Sequence, residues 1–265
     1  MPGQSNFSPM PVLVTGLPDT GPSGALTEDA LLGGAIRLMQ PADGERVSID
    51  TVFLAAAAPA LPDDMVLEPG IGLGGAALCL AHRVPHCRII GIDRNAVLVR
   101  LAAENAKLNG FERRISPMVG DVRSPPPRLA PGVYAHVMMN PPHMAAARTD
   151  ASPNPAKAAA RVEDATLADW IAFALRMVRP RGTITMIHRA DRLDEILVRL
   201  TAGAGEIVVF PLWPGGGAPA KRVIVRARKG VQTPVRLSSG LTLHGDIGKY
   251  TPEADAVLRG AALNL

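Results

Sequence analysis

Two short segments combine residue types that suit the transfer of a methyl group to nitrogen. Residues 68–74 read Glu-Pro-Gly-Ile-Gly-Leu-Gly and follow a short apolar run. Their glycines, Gly70, Gly72 and Gly74, permit a tight turn at which the backbone approaches a nucleoside cofactor closely. Residues 140–143 read Asn-Pro-Pro-His after another apolar run, and their carbonyl oxygens can accept hydrogen bonds from a planar amine. Together the segments suggest S-adenosylmethionine as donor and nitrogen as acceptor.

The glycine turn also fits a second cofactor. Read as Gly70-x-Gly72-x-x-Gly75, with Asp93 at the end of the next predicted strand, it matches a dinucleotide-binding fingerprint. In either case the Asp93 carboxylate would accept hydrogen bonds from ribose hydroxyls. The acid before the glycines distinguishes the two, because a pyrophosphate avoids negative charge, whereas Glu68 suits a cationic sulfonium amino acid. The sequence therefore favours S-adenosylmethionine over NAD.

A third segment, Gly120-Asp121-Val122, follows another predicted strand. The Asp121 carboxylate can accept a hydrogen bond from the exocyclic amine of the cofactor's adenine, and Val122 can line the ring. The simpler alternative for Asp121 is a turn or capping residue. For Glu68 the structural alternative is weaker, because an unpaired acid at the end of an apolar strand is costly to desolvate.

The Asn-Pro-Pro-His segment predicts how the acceptor is activated. An aromatic amine is a poor nucleophile because its lone pair is delocalised into the ring. The Asn140 side-chain oxygen and the Pro141 main-chain oxygen can accept from both amine hydrogens and aim the lone pair at the methyl group. Pro141 and Pro142 stiffen the turn, and His143 would stack on the base unless it is a loop histidine facing water. We predict these four residues to be catalytic, with Asn140 also bordering the cofactor.

Several classes of site are not indicated. The six histidines lack metal-ligand spacing, and no Cys-x-x-Cys or His-Glu-x-x-His motif occurs, so we expect no metal. Cys79 and Cys87 are expected to be reduced structural thiols. No apolar run approaches the roughly 20 residues that span a bilayer, and the N-terminal residues lack a signal-peptide pattern. We therefore expect a cytoplasmic protein with no membrane partner.

Basic residues are unevenly distributed in a chain of net charge +4. They crowd two stretches, Arg176–Arg192 and Lys221–Lys229. Such clusters can neutralise phosphates, which predicts an RNA partner, and tRNA is the RNA that we expect. The simpler alternative is a solvated basic surface. Because aromatic residues make up only 3% of the chain, a base-stacking platform is hard to build. Shape and charge would then dominate recognition, and we expect a monomer.

Strand-like and helix-like segments alternate from residue 64 onward, which predicts a parallel sheet with helices on both faces. Strands are predicted at residues 65–68, 88–93, 115–119, 136–140, 183–188, 206–210 and 222–227, with helices at 75–83 and 96–109. The glycine-rich connection 211–220 has no helical period and implies an antiparallel hairpin at the sheet edge. The predicted fold is α/β, with a Rossmann-like seven-stranded sheet.

The domain organisation follows from this pattern. We expect residues 1–24 to be a disordered lead-in, 25–230 the methyltransferase domain with a pre-core segment at 25–62, and 231–265 an extension packed on the same domain. Within the pre-core segment, Thr27-Glu28-Asp29 predicts a helix start, residues 36–40 a strand, and Ser48 the start of an alanine-rich helix. Residues 145–160 are either a lid or a linker.

The motifs place the chain beside a known family. It resembles class I S-adenosylmethionine-dependent methyltransferases of the small-domain type, and more narrowly the bacterial tRNA1(Val) adenine-N6 methyltransferases. The resemblance rests on residues 27–34, 40–41, 48–55, 68–74, 140–143 and 220–229. It implies that Glu68, Asp93 and Asp121 contact the cofactor and that Asp50 lies near its methionine end. It also implies that residues 140–143 are the family's Asn-Pro-Pro-aromatic motif, with His143 in place of the usual Tyr or Phe.

Three functions fit these residues. The first is methylation of adenine N6 in a tRNA, whose unpaired loop bases cost little to unstack. The second is methylation of a protein glutamine or of guanine N2, since these nitrogens are planar as well. The third is an NAD-binding module without methyl transfer.

Overall fold

The structure, a computed structural model, describes residues 25–42, 46–142, 165–245 and 249–265. Predictions about residues 1–24, His143 and the segment 145–160 lie outside these ranges. The strands are β1 (Leu26–Leu31), β2 (Ile36–Pro41), β3 (Met65–Pro69), β4 (Arg88–Asp93), β5 (Ile115–Val119), β6 (Tyr134–Met139), β7 (Val178–Arg189), β8 (Ala204–Trp213), β9 (Arg222–Lys229), β10 (Arg236–Leu237) and β11 (Leu241–Thr242). The helices are α1 (Ile49–Ala57), α2 (Gly75–Arg83), α3 (Ala96–Leu108), α4 (Leu167–Met177), α5 (Leu193–Thr201) and α6 (Pro252–Leu258).

Seven strands form the centre of the large sheet in the order β5-β4-β3-β6-β7-β9-β8. They are parallel except for β9, which runs antiparallel to both β7 and β8. The predicted hairpin is formed by β8 and β9, and the two-residue strands β10 and β11 pair with β8 beyond it. The strand order reverses between β3 and β6, and in such sheets ligands bind at the carboxyl ends of the strands beside that point. The predicted fold class is confirmed.

Two apolar clusters cover the two faces of the sheet. Neighbouring residues alternate between them, as Val66 and Leu67 do in β3 and Met138 and Met139 do in β6, because successive side chains of a strand point to opposite faces. Helices α1, α2, α3 and α6 contribute to the first cluster, and α4 and α5 to the second. Because both faces of the sheet are buried, these strands read as nearly continuous apolar runs in the sequence.

The pre-core segment begins with a strand, so the predicted helix start at Thr27-Glu28-Asp29 is wrong. These residues lie in β1, which pairs antiparallel with β2. The acids that resembled a helix cap bind guanidinium groups instead: Glu28 accepts from Arg37, and Asp29 accepts from Arg46. Cross-strand pairing satisfies the backbone here, which a local capping pattern does not reveal. Ser48 does precede a helix, α1, as predicted.

Asn105 of α3 and Asn109, the residue that directly follows this helix, hold this hairpin against the core. The fully buried Asn105 accepts from the Met39 main-chain N–H at 2.7 Å and donates to the Met39 and Leu73 carbonyl oxygens, each at 3.0 Å. One turn later, Asn109 accepts from the Arg37 N–H at 2.9 Å and donates to the Arg37 carbonyl oxygen at 2.7 Å. The outer backbone of β2 is therefore paired by side chains rather than by another strand.

A buried polar chain connects the central strands β6 and β7 to Asp64, which directly precedes β3. His136 of β6 lies 2.9 Å from Asp64 through Nε2 and 2.6 Å from the Thr183 hydroxyl through Nδ1. Because a carboxylate only accepts, we assign the ring proton to Nε2, so that Nδ1 accepts from Thr183. Burial lowers the pKa of His136 and so disfavours the charged ring, while the Asp64 carboxylate opposes this shift. In the described part of the chain, no helix has the length and apolar character needed to cross a bilayer.

Candidate active site

A cavity of about 520 Å³ opens at the carboxyl ends of the central strands, where the strand order reverses. The predicted site residues that line it are Glu68, Gly70, Gly72, Asp93, Asp121, Val122, Asn140 and Pro142. Gly74 and Pro141 do not line it: Gly74 precedes the first turn of α2, and Pro141 is buried. Residues separated in sequence by two βα units thus meet at one place, which is what parallel strands with aligned carboxyl ends produce.

The glycine turn needs its glycines for two different reasons. Gly70, Gly72 and Gly74 have φ angles of +69°, +53° and +85°, a region that other residues rarely adopt. A Cβ on Gly70 would lie 2.7 Å from the Trp170 ring, whereas a Cβ on Gly72 would meet no atom within 4 Å and would project into open space. Gly70 therefore permits close packing, and Gly72 leaves room for a ligand beside the backbone.

Glu68 has a buried carboxyl group at the end of β3. Its side chain is 4% exposed, and its Oε2 has no hydrogen-bond partner among the described residues. Burial raises its pKa well above the usual range; the Ala77 N–H lowers the pKa, while the nearby Asp93 carboxylate raises it. A buried acid with an unpaired oxygen at a cavity fits a cationic ligand group, which would stabilise the carboxylate.

Asp93 and Asp121 follow the two neighbouring strands. The Asp93 carboxylate accepts from the Gly72 N–H at 3.0 Å and from the Asn95 N–H at 2.9 Å, so it fixes the glycine turn against β4. The Asp121 carboxylate accepts from the Arg123 N–H at 2.8 Å and pairs with the Arg123 guanidinium at 3.1 Å. These hydrogen bonds hold the pKa of Asp121 below its usual value. Asp121 therefore stabilises a turn, which was the simpler of its two predicted roles, and it also lines the cavity.

Asn140 presents a hydrogen-bond acceptor at the same cavity. It directly follows β6, and its Oδ1 is buried with no hydrogen-bond partner among the described residues. Buried polar atoms are usually paired, so this oxygen is suited to a donor that arrives with a ligand. Pro142 lines the cavity next to it, whereas His143 lies outside the described residues.

The structure adds residues that the sequence alone did not place at the site. Trp170 of α4 lines the cavity and covers Gly70. Its only local signal is the capping box formed by Thr166 and Asp169, which marks the start of α4 without indicating what that helix faces. Arg222 of β9, counted among the basic residues, also lines the cavity, and its Nε donates to Asp50 Oδ2 at 2.7 Å.

Parts of the two basic stretches of the sequence lie side by side in the sheet. Because β9 runs antiparallel to β7, Arg189 lies beside Arg222 at the cavity edge of the sheet, whereas Arg228 lies beside Thr183 near the opposite edge. Several members pair with acids inside the protein: Arg189 with Asp191, Arg192 with Glu195, Arg222 with Asp50 and Arg228 with Glu206. Recognition of RNA through these stretches stays a prediction, and only their cavity-edge members lie beside the site.

The chain is similar in sequence to known methyltransferases. Residues 66–162 match the family model described as a methyltransferase domain. A tRNA1(Val) (adenine(37)-N6)-methyltransferase of Aeromonas hydrophila is 27% identical over 210 residues, covering 78% of this chain and 85% of the relative. A release factor glutamine methyltransferase of Geobacter sulfurreducens is 29% identical over 91 residues, covering 32% of this chain and 28% of the relative.

The fold has a close counterpart among solved structures. The crystal structure of a predicted O-methyltransferase from Agrobacterium tumefaciens superposes with a TM-score of 0.69 at 23% identity, covering 81% of this chain and 98% of that one. The matched domain and the curated relatives indicate that the chain is an enzyme, an S-adenosylmethionine-dependent methyltransferase. Within that class it is similar to the tRNA1(Val) adenine-N6 methyltransferases. The NAD-binding alternative finds no support in these matches. Within the described ranges, no group of three or more His, Cys, Asp or Glu residues is placed to hold a metal ion.

Proposed function

We propose that this methyltransferase acts on N6 of an adenine in a tRNA. The observation that carries the proposal is the buried, unpaired Oδ1 of Asn140 in the cavity that also contains Glu68 and Asp93. Similarity to an enzyme named for adenine N6 of tRNA1(Val), over 78% of this chain, supports the choice of acceptor. A donor site and an acceptor oxygen in one cavity are what transfer to an amine requires.

The residues present fit the cofactor. Glu68 supplies a buried carboxyl for the cationic methionine end, and the open space beside Gly72 admits the nucleoside close to the backbone. Asp93, on the next strand, has lone pairs left for ribose hydroxyls after accepting one N–H on each oxygen. Val122 and Asp121 line the cavity beyond it and would border the adenine. The cofactor supplies an electrophilic methyl group to this site.

Asn140 borders the cofactor site and acts on the acceptor amine. Its Oδ1 accepts one amine hydrogen, and the main-chain oxygen of Pro141 is proposed to accept the other. With both hydrogens held, the nitrogen lone pair points at the methyl group. A strong base is not needed in this scheme, because the nitrogen becomes cationic and acidic only once it is methylated, and it then loses its proton to water.

A second candidate acceptor is the side-chain amide of a protein glutamine. The glutamine methyltransferase relative favours it, over 91 residues of this chain. An amide nitrogen is planar and carries two hydrogens, so Asn140 can hold it in the same way. Guanine N2 presents the same group. Asn140 alone therefore does not distinguish these nitrogens, and the residues that contact the rest of the substrate must determine which of them is methylated.

Two measurements test the proposal. Nucleoside mass spectrometry of total tRNA from cells lacking the gene is expected to show less N6-methyladenosine, restored by the intact gene. If N6-methyladenosine in tRNA is unchanged and a release-factor glutamine is unmethylated instead, the substrate is the protein glutamine of the second candidate. In the purified protein, Asn140→Ala is expected to keep S-adenosylmethionine binding and thermal stability but to lose methyl transfer by about 100-fold or more. Loss of cofactor binding in this variant would contradict the role given to Asn140.

A further inference from the structure

A second cavity, of about 350 Å³, lies near the opposite edge of the sheet. Arg226 and Arg228 of β9, Arg236 of β10 and Glu206 of β8 contribute to its wall, together with Thr233. It shares no lining residue with the candidate active site. We propose that this cavity binds a phosphate group. The inference does not depend on which nitrogen the enzyme methylates.

The backbone around this cavity departs from regular sheet geometry. The pairing of β8 with β9 shifts register between Gly205 and Val208, and Glu206 within that bulge has a φ of +46°. The Glu206 N–H donates to the Thr233 hydroxyl at 2.7 Å, and a Cβ on Gly205 would lie 2.3 Å from the Val231 carbonyl oxygen. Residues 231–233 thus pack directly against the bulge. Bulges and strained residues are concentrated at binding sites.

Positively charged side chains outnumber negatively charged ones among the residues that line the cavity. Arg228 pairs with Glu206 and donates to the Arg181 carbonyl oxygen at 2.9 Å, and the half-buried Arg226 donates to the main-chain oxygen of Leu265 at 2.8 Å. Burial lowers the pKa of Arg226, and the neighbouring guanidiniums of Arg236 and Arg228 lower it further. Three guanidiniums face one carboxylate in this lining.

An anion would relieve this repulsion, and a phosphate group suits the arrangement better than a carboxylate. Guanidinium groups bind phosphate through paired N–H donors. A phosphate presents several oxygens in different directions, so donors arriving from β9 and from β10 can bind it together, whereas a carboxylate presents two oxygens in one plane. The phosphate could belong to a free anion or to an RNA backbone, and the experiment separates these sources.

The first arm of the experiment uses inorganic pyrophosphate as the probe, titrated calorimetrically at constant ionic strength. Arg236→Gln and Arg226→Gln are each expected to weaken pyrophosphate binding about tenfold. The Arg236 side chain is exposed and makes no hydrogen bond within the described residues, so its variant tests the site even if Arg226→Gln unfolds. The matched control is Arg100→Gln, an exposed arginine on α3, which should bind pyrophosphate as the unaltered protein does.

The second arm uses a single-stranded oligoribonucleotide and measures its affinity against salt concentration. Loss of one backbone contact should reduce the slope of log affinity against log salt by about 0.7. A reduced slope in Arg236→Gln but not in Arg100→Gln, without pyrophosphate binding, assigns the phosphate to RNA. Pyrophosphate binding that the Arg236→Gln change weakens assigns it to a free anion. If neither probe distinguishes the Arg236 and Arg226 variants from the control, the proposal is wrong. S-adenosylmethionine binding should be unchanged throughout, which separates this outcome from a failure of the methyltransferase site.

Discussion

Glu68 shows how one buried side chain prepares the site for its cofactor. The carboxyl group is removed from water, and its Oε2 lacks a partner among the described residues. Its raised pKa means that the folded protein holds it protonated over a wider pH range than the unfolded chain does. The stability that this group contributes is therefore present below its unfolded pKa and is lost as pH rises through its folded pKa. A cationic ligand reverses the effect, because it favours the charged carboxylate.

It follows that binding of S-adenosylmethionine should release a proton from Glu68. Affinity is expected to rise as pH rises toward the folded pKa of this group. Calorimetry in two buffers of different ionisation enthalpy measures the released proton directly. Glu68→Gln removes the titrating group, so its binding should be weaker and should release fewer protons. Equal proton release by the two proteins would show that another group is responsible.

Gly72 allows backbone strain and ligand space to be separated. Gly72 and Gly110 have φ angles of +53° and +71°, and a Cβ on either meets no atom within 4 Å. Alanine should cost each position about 1 kcal/mol of unfolding free energy, because both need the left-handed region. Only Gly72 lines the cavity, so only Gly72→Ala should reduce S-adenosylmethionine affinity. Urea denaturation and calorimetric titration of both variants check this; equal affinities would mean that the turn does not border the cofactor.

At the scale of elements, the N-termini of the helices differ in whether a side chain caps them. Asn95 caps α3 by accepting from the Val97 N–H at 2.9 Å and from the Leu98 N–H at 3.4 Å. Ser48 occupies the same position before α1, but its side chain makes no capping hydrogen bond. Asn95→Ala is therefore expected to lower the free energy of unfolding by about 1 kcal/mol, and Ser48→Ala by less than about 0.5 kcal/mol. Urea titration compares them, and an equal loss in both would contradict the assignment of the Asn95 cap.

The same elements show which parts of the structure a sequence can predict. The strand at residues 115–119 and the helix at 75–83 were predicted with their observed bounds, because local periodicity and the glycine at each turn determine them. Thr27 was misassigned because only the pairing of β1 with β2 decides its conformation. Trp170 was missed as a site residue because its contact with Gly70 joins segments 100 residues apart. Local patterns predict elements, whereas contacts between distant segments depend on the assembled sheet.

At the scale of the whole molecule, the active-site cavity is built from three parts of the chain. The core strands supply Glu68, Asp93 and Asn140, the pre-core segment supplies Asp50, and β9 supplies Arg222, which pairs with Asp50. The position of the pre-core segment therefore affects the cavity as well as the stability of the protein. Asn105 connects these parts, because one side chain bonds both to β2 and to the Leu73 carbonyl oxygen in the glycine turn.

A comparison of Asn105 with Asn109 tests whether this connection matters for binding. Asn105→Leu would leave the Met39 N–H and carbonyl oxygen unpaired at a partly buried place and the Leu73 carbonyl oxygen unpaired at a buried one, so we expect a loss of about 3 kcal/mol in unfolding free energy. Asn109→Leu removes the equivalent bonds to Arg37 at a partly exposed position and should cost about 1 kcal/mol. Hydrogen exchange should accelerate at Met39 in the first variant and at Arg37 in the second. Because only Asn105 also bonds to the glycine turn, only its variant should weaken S-adenosylmethionine binding at temperatures where both proteins remain folded. Equal cofactor affinities in the two variants would show that the hairpin and the cofactor turn are held independently.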